Sequence, residues 1–261
     1  VESIARRIHR ERLALLGWGR AIAMQFAHPL IAAGVGDHSS FKSGRIARFK
    51  RLHGTVRAML SLTFGDEAIA FEAAQGIRKI HDRVHGVLKV DAGHFPAGTP
   101  YSAHDPILLH WVLMTLLDSI PLAYTRLVGP LSGDEQDRYC QESARLGLWL
   151  GIPEDRLPRT IDEVRSEVRR VMASGDLFVT DTARDLLQDV LYPPFQLAYW
   201  PAARMTRMTT IGLMDPRLRE QYGLTWTERD ERAFDRWAPR LRGLRSVAPD
   251  WIRYWPEEQR R

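Results

Sequence analysis

The chain has 261 residues, 44% hydrophobic and 26% charged, with a net charge of +5. That is the balance of a globular protein able to bury a substantial core, and it excludes a disordered or low-complexity chain. Cys140 is the only cysteine, so an intrachain disulfide and a cysteine-based zinc or iron–sulfur site are excluded, and a reducing, cytoplasmic setting is expected.

In chain order the pattern is helical almost throughout. A basic helix is expected over about residues 2–15 and a Gly-rich apolar one from Gly17 to Ala33. Gly34-Val-Gly-Asp37-His38-Ser39-Ser40 has the composition of a loop. A third helix is expected from Gly44 to Leu62, a turn at Phe64-Gly65-Asp66, and a fourth helix running through His81 to Leu88. Residues 91–100 are rich in breakers and read as a loop. Asp105-Pro106 is an N-cap with proline at the first helical position. Ser132 with Glu135 and Thr160 with Glu163 are capping boxes, and Pro153, Pro158, Pro193-Pro194 and Pro216 punctuate the later helices. No alternating strand of useful length, repeat or linker appears. The expectation is a single all-α domain over residues 1–261, with a peripheral tail from about 245. The longest apolar run, Ile107 to Leu117, stops at Asp118 and is too short to span a bilayer, so no integral membrane association is expected. No signal peptide is visible at the start.

Charge is unevenly spread. Residues 1–60 hold eleven Arg and Lys against three acids, a net +8, which leaves −3 for the remainder. An excess of this kind suits an anionic partner such as nucleic acid, a lipid surface or the carboxylates of a cofactor. The arginines are interleaved with core-type residues and no recognition motif accompanies them, so nucleic acid is not expected.

His81 is the first candidate for chemistry. At 100° per residue, Ala73, Ile77, Ile80, Val84 and Leu88 share one arc and His81 falls inside it, with Asp82 well outside. An imidazole in an apolar wall is a neutral nitrogen kept from water, suited to a metal or haem iron as well as to a hydrogen bond inside a core. Counted back from the turn at Phe64-Gly65-Asp66, His81 lies level with Arg48 to Arg51 on an antiparallel third helix, at ~1.5 Å rise per residue. Arg48, Arg51 and Thr55 share a face there with Leu52, Met59 and Leu62. Arginines on such a face either snorkel to solvent or meet an anion. His110 is the alternative axial ligand, and His28 before Pro29 reads as a helix-end hydrogen bonder. His81-Asp82 is also the doublet of metal-dependent phosphohydrolases of the HD type, with His53 and Asp105 or Asp118 as further ligands. A basic helical binding protein is the non-enzymatic alternative.

Several segments, taken together, resemble one family. They are Gln25-Phe-Ala-His28-Pro29, Gly34-Val-Gly-Asp37-His38-Ser39, Arg51-Leu-His-Gly-Thr55, Phe64-Gly65, and His81 with Val84 and Gly86. Further on come Tyr101-Ser-Ala-His-Asp105-Pro106 before a helix with Trp111, and near the end Thr210-Ile-Gly212-Leu213, Pro216-Arg-Leu-Arg219 and Tyr222-Gly223-Leu-Thr-Trp226. In order and spacing, over about residues 10–230, they resemble the haem-dependent oxygenases of the latex-clearing-protein and mycophenolic-acid-biosynthesis type, which share a rubber-oxygenase catalytic domain. The resemblance implies an all-α fold enclosing haem b, with His81 as proximal ligand and Arg51 and Thr55 near the distal side. Arg48 and Arg51 would meet the haem propionates. Latex-clearing enzymes carry a lysine just before that threonine, where this chain has Gly54. The implied activity is therefore oxidation of an apolar small molecule with O₂ or peroxide, not polyisoprene cleavage of the distal-lysine type. A homo-oligomer is compatible with all of this.

Overall fold

The computed structural model describes residues 2–38, 54, 58, 60–65, 67–192 and 200–256. The fold is all-α, with one two-stranded antiparallel ribbon among the described residues. The core forms around the helix Pro106–Leu127, which is packed by the helices Gly17–Phe26, Gly133–Leu150, Ile161–Ser174 and Glu228–Val247. Trp111, Met114, Leu117, Ile120 and Leu127 are buried along it.

The start signals form as the sequence requires. Asp105 accepts from the Ile107 N–H at 2.8 Å with Pro106 in the first turn. Both capping boxes, at Ser132 and Glu135 and at Thr160 and Glu163, close in both directions. Gly151 ends the Gly133–Leu150 helix at φ +104°, a backbone region that a side chain would strain.

Other boundaries differ from expectation, each for a physical reason. The expected first helix is a short one, Ile4–His9, followed by a 3₁₀ turn at Arg12–Leu16. Between them Glu11 is extended (φ −75°, ψ 116°), and it bridges Tyr254. The next stretch is two helices, Gly17–Phe26 and Pro29–His38, because Pro29 has no N–H with which to continue the first. The segment read as a loop after Ala33 is helical to His38. Its glycines serve close packing, since a Cβ on Gly36 would stand 2.6 Å from Thr182 Cγ2.

The helix through His81 runs from Glu67 and stops at His81. Residues His85–Val87 then form a strand paired with Pro100–Ser102, in the register Gly86 opposite Tyr101. The third helix, expected over 44–62, lies mostly outside the described residues, of which 54, 58 and 60–64 are helical.

The central helix continues well past Asp118 to Leu127. It is long and apolar enough to cross a membrane by length and composition, and a little over half of its most apolar window (56%) is buried inside the protein. Asp118 is accommodated by Arg20, whose Nη1 lies 2.7 Å from Asp118 Oδ2. The described N-terminal arginines are likewise engaged within the chain. Arg7 pairs with Glu135 at 2.5 Å, Arg10 pairs with Glu2 at 3.0 Å, and Arg12 Nε donates to the Tyr254 carbonyl at 2.9 Å.

Candidate active site

Ala70 and Ala74 are the buried residues of the Glu67–His81 helix. Their face, extended by four- and three-residue steps, passes through Ile77 and Arg78 to His81, which is half-buried. Ile80, expected on the inward arc, is 64% exposed. The inward face is thus rotated from the expected arc by most of a residue step, and His81 is centred on it while Ile80 is not.

His81 Nδ1 is buried without a hydrogen-bond partner. Burial lowers the imidazole pKa below 6.5, with His104 and Arg78 adding to the effect and Asp82 opposing it. The ring is therefore neutral at physiological pH, with a buried nitrogen unused by the protein.

Segments far apart in the sequence meet at the turn and ribbon that follow His81. Tyr101 lies across Gly86, where a Cβ would stand 2.6 Å from the phenol oxygen, and close to Gly34, where a Cβ would meet the ring at 3.5 Å. Its hydroxyl donates to Asp37 Oδ2 at 2.9 Å, and Lys89 pairs with the other oxygen of the same carboxylate. Burial raises the Asp37 pKa, but the bonds from Lys89 and Tyr101 outweigh it and the value falls. Burial and the Asp37 bond push the Tyr101 phenol up to about 12. His38 Nε2 reaches the His85 carbonyl at 3.0 Å. The C-terminal end of the Pro29–His38 helix, the segment from Val84 to Gly86 and Tyr101 thus form one assembly.

Arg48, Arg51 and Thr55 lie outside the described residues, as does His53. The remaining alternatives are engaged elsewhere. Asp82 is bound by His104, whose Nε2 is 2.8 Å from Oδ1. Asp105 caps a helix, and Asp118 pairs with Arg20. His110 Nδ1 sits 3.7 Å from Glu167 Oε1. Among the described residues no group of three or more His, Cys, Asp or Glu is placed to hold a metal ion. His28 accepts from the Leu30 N–H at 3.3 Å and begins the Pro29–His38 helix, the helix-end role expected for it. Tyr101 and His104 were not singled out in the sequence as site residues. Only the Tyr-Ser-Ala-His-Asp-Pro string marked their neighbourhood, since their partners Asp37 and Asp82 are 64 and 22 residues away.

A separate cleft of about 260 Å³ opens between other helices, lined by Met24, Leu122, Met172 and Leu218 with the Arg20–Asp118 pair. The Glu67–His81 helix contributes nothing to it.

The fold is all-α, and at the end of one helix it turns His81 inward with a buried, unpartnered Nδ1. The chain belongs to the family described as ER-bound oxygenase mpaB/B'/Rubber oxygenase, catalytic domain, which it matches over residues 5–243. The family is an oxygenase catalytic domain. The chain is also similar to an uncharacterized protein of Mycobacterium tuberculosis and to one of Mycobacterium bovis. Each is 27% identical over 222 residues, which cover 82% of this chain and 82% of the relative. No solved structure matches it.

Proposed function

We propose that the protein is a haem b-dependent oxygenase that oxidises an apolar small molecule with O₂ or peroxide. The observation that carries this reading is the buried, unpartnered Nδ1 of a neutral His81, in a chain whose family is an oxygenase catalytic domain. A buried polar atom left without a partner costs stability, and iron coordination is a use for a neutral imidazole that a purely structural histidine lacks. The residues present therefore fit the group.

Haem b, when bound, supplies the iron redox chemistry, and the protein sets ligation, access and polarity around it. His81 would hold the iron. Arg48 and Arg51 would pair with the propionates as charge-assisted donors. Arg51 would also donate to an oxygen on which negative charge develops, and Thr55 would pass a proton to it. Gly54 stands where latex-clearing enzymes have lysine, which supports a small apolar substrate over polyisoprene.

The test is an ultraviolet–visible spectrum and a pyridine haemochromogen assay on protein produced with haem supply. A Soret band that disappears in His81→Ala is the expected result. Folded wild-type protein that stays colourless, or a His81→Ala variant that binds haem normally, overturns the reading.

A further inference from the structure

Just past the end of the Glu67–His81 helix, the chain makes one contact that neither capping nor core packing requires. His104 Nε2 lies 2.8 Å from Asp82 Oδ1. The His104 ring stands edge-on to the His81 ring, with centroids 5.9 Å apart and planes at 78°. Its placement is built into the backbone. Val84 N–H donates to the His81 carbonyl at 2.9 Å, and Ala103 N–H donates to the Val84 carbonyl at 2.8 Å. His104 N–H donates to Ser102 Oγ at 3.1 Å, and His85 pairs with Ser102 in the ribbon. The ribbon therefore delivers His104 to the turn that follows His81.

Stability does not account for this pair. The Asp82 side chain is 64% exposed and that of His104 is 34% exposed, and ion pairs in that setting contribute little to folding. The contact bears instead on the His81 ring, because His104 is held by the neighbouring residue Asp82 and stands edge-on to the imidazole. Groups beyond the ligands that orient a ligating imidazole are a general need of metal sites.

We propose that Asp82 and His104 form a positioning clasp that holds the His81 ring in the orientation from which it binds its cofactor. The proposal rests on His81 being a haem ligand. His104 is a positioning residue, acting through His81.

The experiment uses the full chain loaded with haem, and compares wild type with His104→Phe, Asp82→Ala and His104→Gln. Phenylalanine keeps a ring beside His81 but cannot bond Asp82, whereas the glutamine amide can donate to it. Haem transfer to apomyoglobin gives the dissociation rate, electron paramagnetic resonance and the Soret position report axial ligation, and thermal unfolding of the haem-free forms gives Tm. His104→Phe and Asp82→Ala are expected to weaken haem retention by roughly 10–100-fold and to change the axial-ligand spectrum, with Tm of the haem-free forms nearly unchanged. His104→Gln is expected to recover much of the loss.

Wild-type retention and spectra in His104→Phe would overturn the clasp while leaving His81 as ligand. A fall in haem-free Tm that accounts for the weaker retention would also overturn it, as a structural contact only. Wild-type protein that takes no haem overturns both the clasp and the reading on which it stands.

Discussion

Arg20 and Asp118 form an ion pair at 2.7 Å between the Gly17–Phe26 helix and the midpoint of the central helix. Each side chain is only 11% exposed. The guanidinium is further satisfied by the Leu213 carbonyl at 2.8 Å and Ser119 Oγ at 2.6 Å. The acid that interrupts the apolar run is thus the anchor between two core helices. Asp118→Leu strands Arg20 beside apolar neighbours and is expected to cost about 3 kcal/mol in urea unfolding, near the lower end for buried pairs because the cleft admits water. Adding Arg20→Met should recover most of that loss. A double variant no more stable than the single one would refute this account.

Glu11 is 2% exposed and is gripped by Arg245, with Nε to Oε2 at 3.0 Å, and by Arg253 at 3.5 Å. These bonds, with the Glu11–Tyr254 bridge, tie the C-terminal segment to the N-terminal one. Glu11→Ala should lower stability by about 2–3 kcal/mol, less than a fully buried pair because both arginines keep some access to water. Limited proteolysis should then cut first near residues 245–256, and unchanged protection there would count against the tie.

Gly19 faces Thr210 so closely that a Cβ would fall 1.9 Å from Thr210 Oγ1. Thr210 is completely buried. Gly19→Ala should therefore destabilise by about 1–3 kcal/mol through overpacking. Thr210→Ala in the same chain removes the hydroxyl that collides, while its Cβ stays at 3.1 Å, and should restore part of the loss, measured as Tm by calorimetry.

Burial holds the His28 pKa down at about 4, well below the ordinary histidine value of 6.5. Between those values the unfolded chain takes up a proton that the folded chain refuses, so stability falls as pH drops from 6.5 to 4. The loss from this residue reaches about 3 kcal/mol at the bottom of that window, with none added below it. Asparagine can keep the helix-end bond to the Leu30 N–H without titrating there. His28→Asn should thus flatten the stability profile between pH 6.5 and 4. A slope equal to that of the wild type would assign the dependence to other groups.

How much of this was legible in the chain varies by feature. Caps were readable because Ser132, Thr160 and Asp105 act on backbone groups two or three residues away. The inward turn of His81 is also readable, although the apolar arc that contains it includes Ile80, which faces water. The helical period ends at His81, and residues His85–Val87 beyond it are a strand, so the apolar residues there do not share the helix face. Gly34 and Gly36, loop-like by composition, are helical for a related reason. Glycine signals a turn locally, but here Gly36 makes room for Thr182 and Gly34 packs closely on Val84, neither of which a local pattern contains.

The amino-acid order by itself determined the helical class, the cap positions, the place of His81 and the family, since each depends on short-range periodicity or on ordered segments along the chain. Tertiary structure alone decided which charges are satisfied. It set Arg20 on Asp118, closed Arg245 and Arg253 on Glu11, and brought Tyr101 to Asp37 and His104 to Asp82. Those pairings follow from helix packing and ribbon register, which act across tens to hundreds of residues and leave no spacing in the sequence from which to read them.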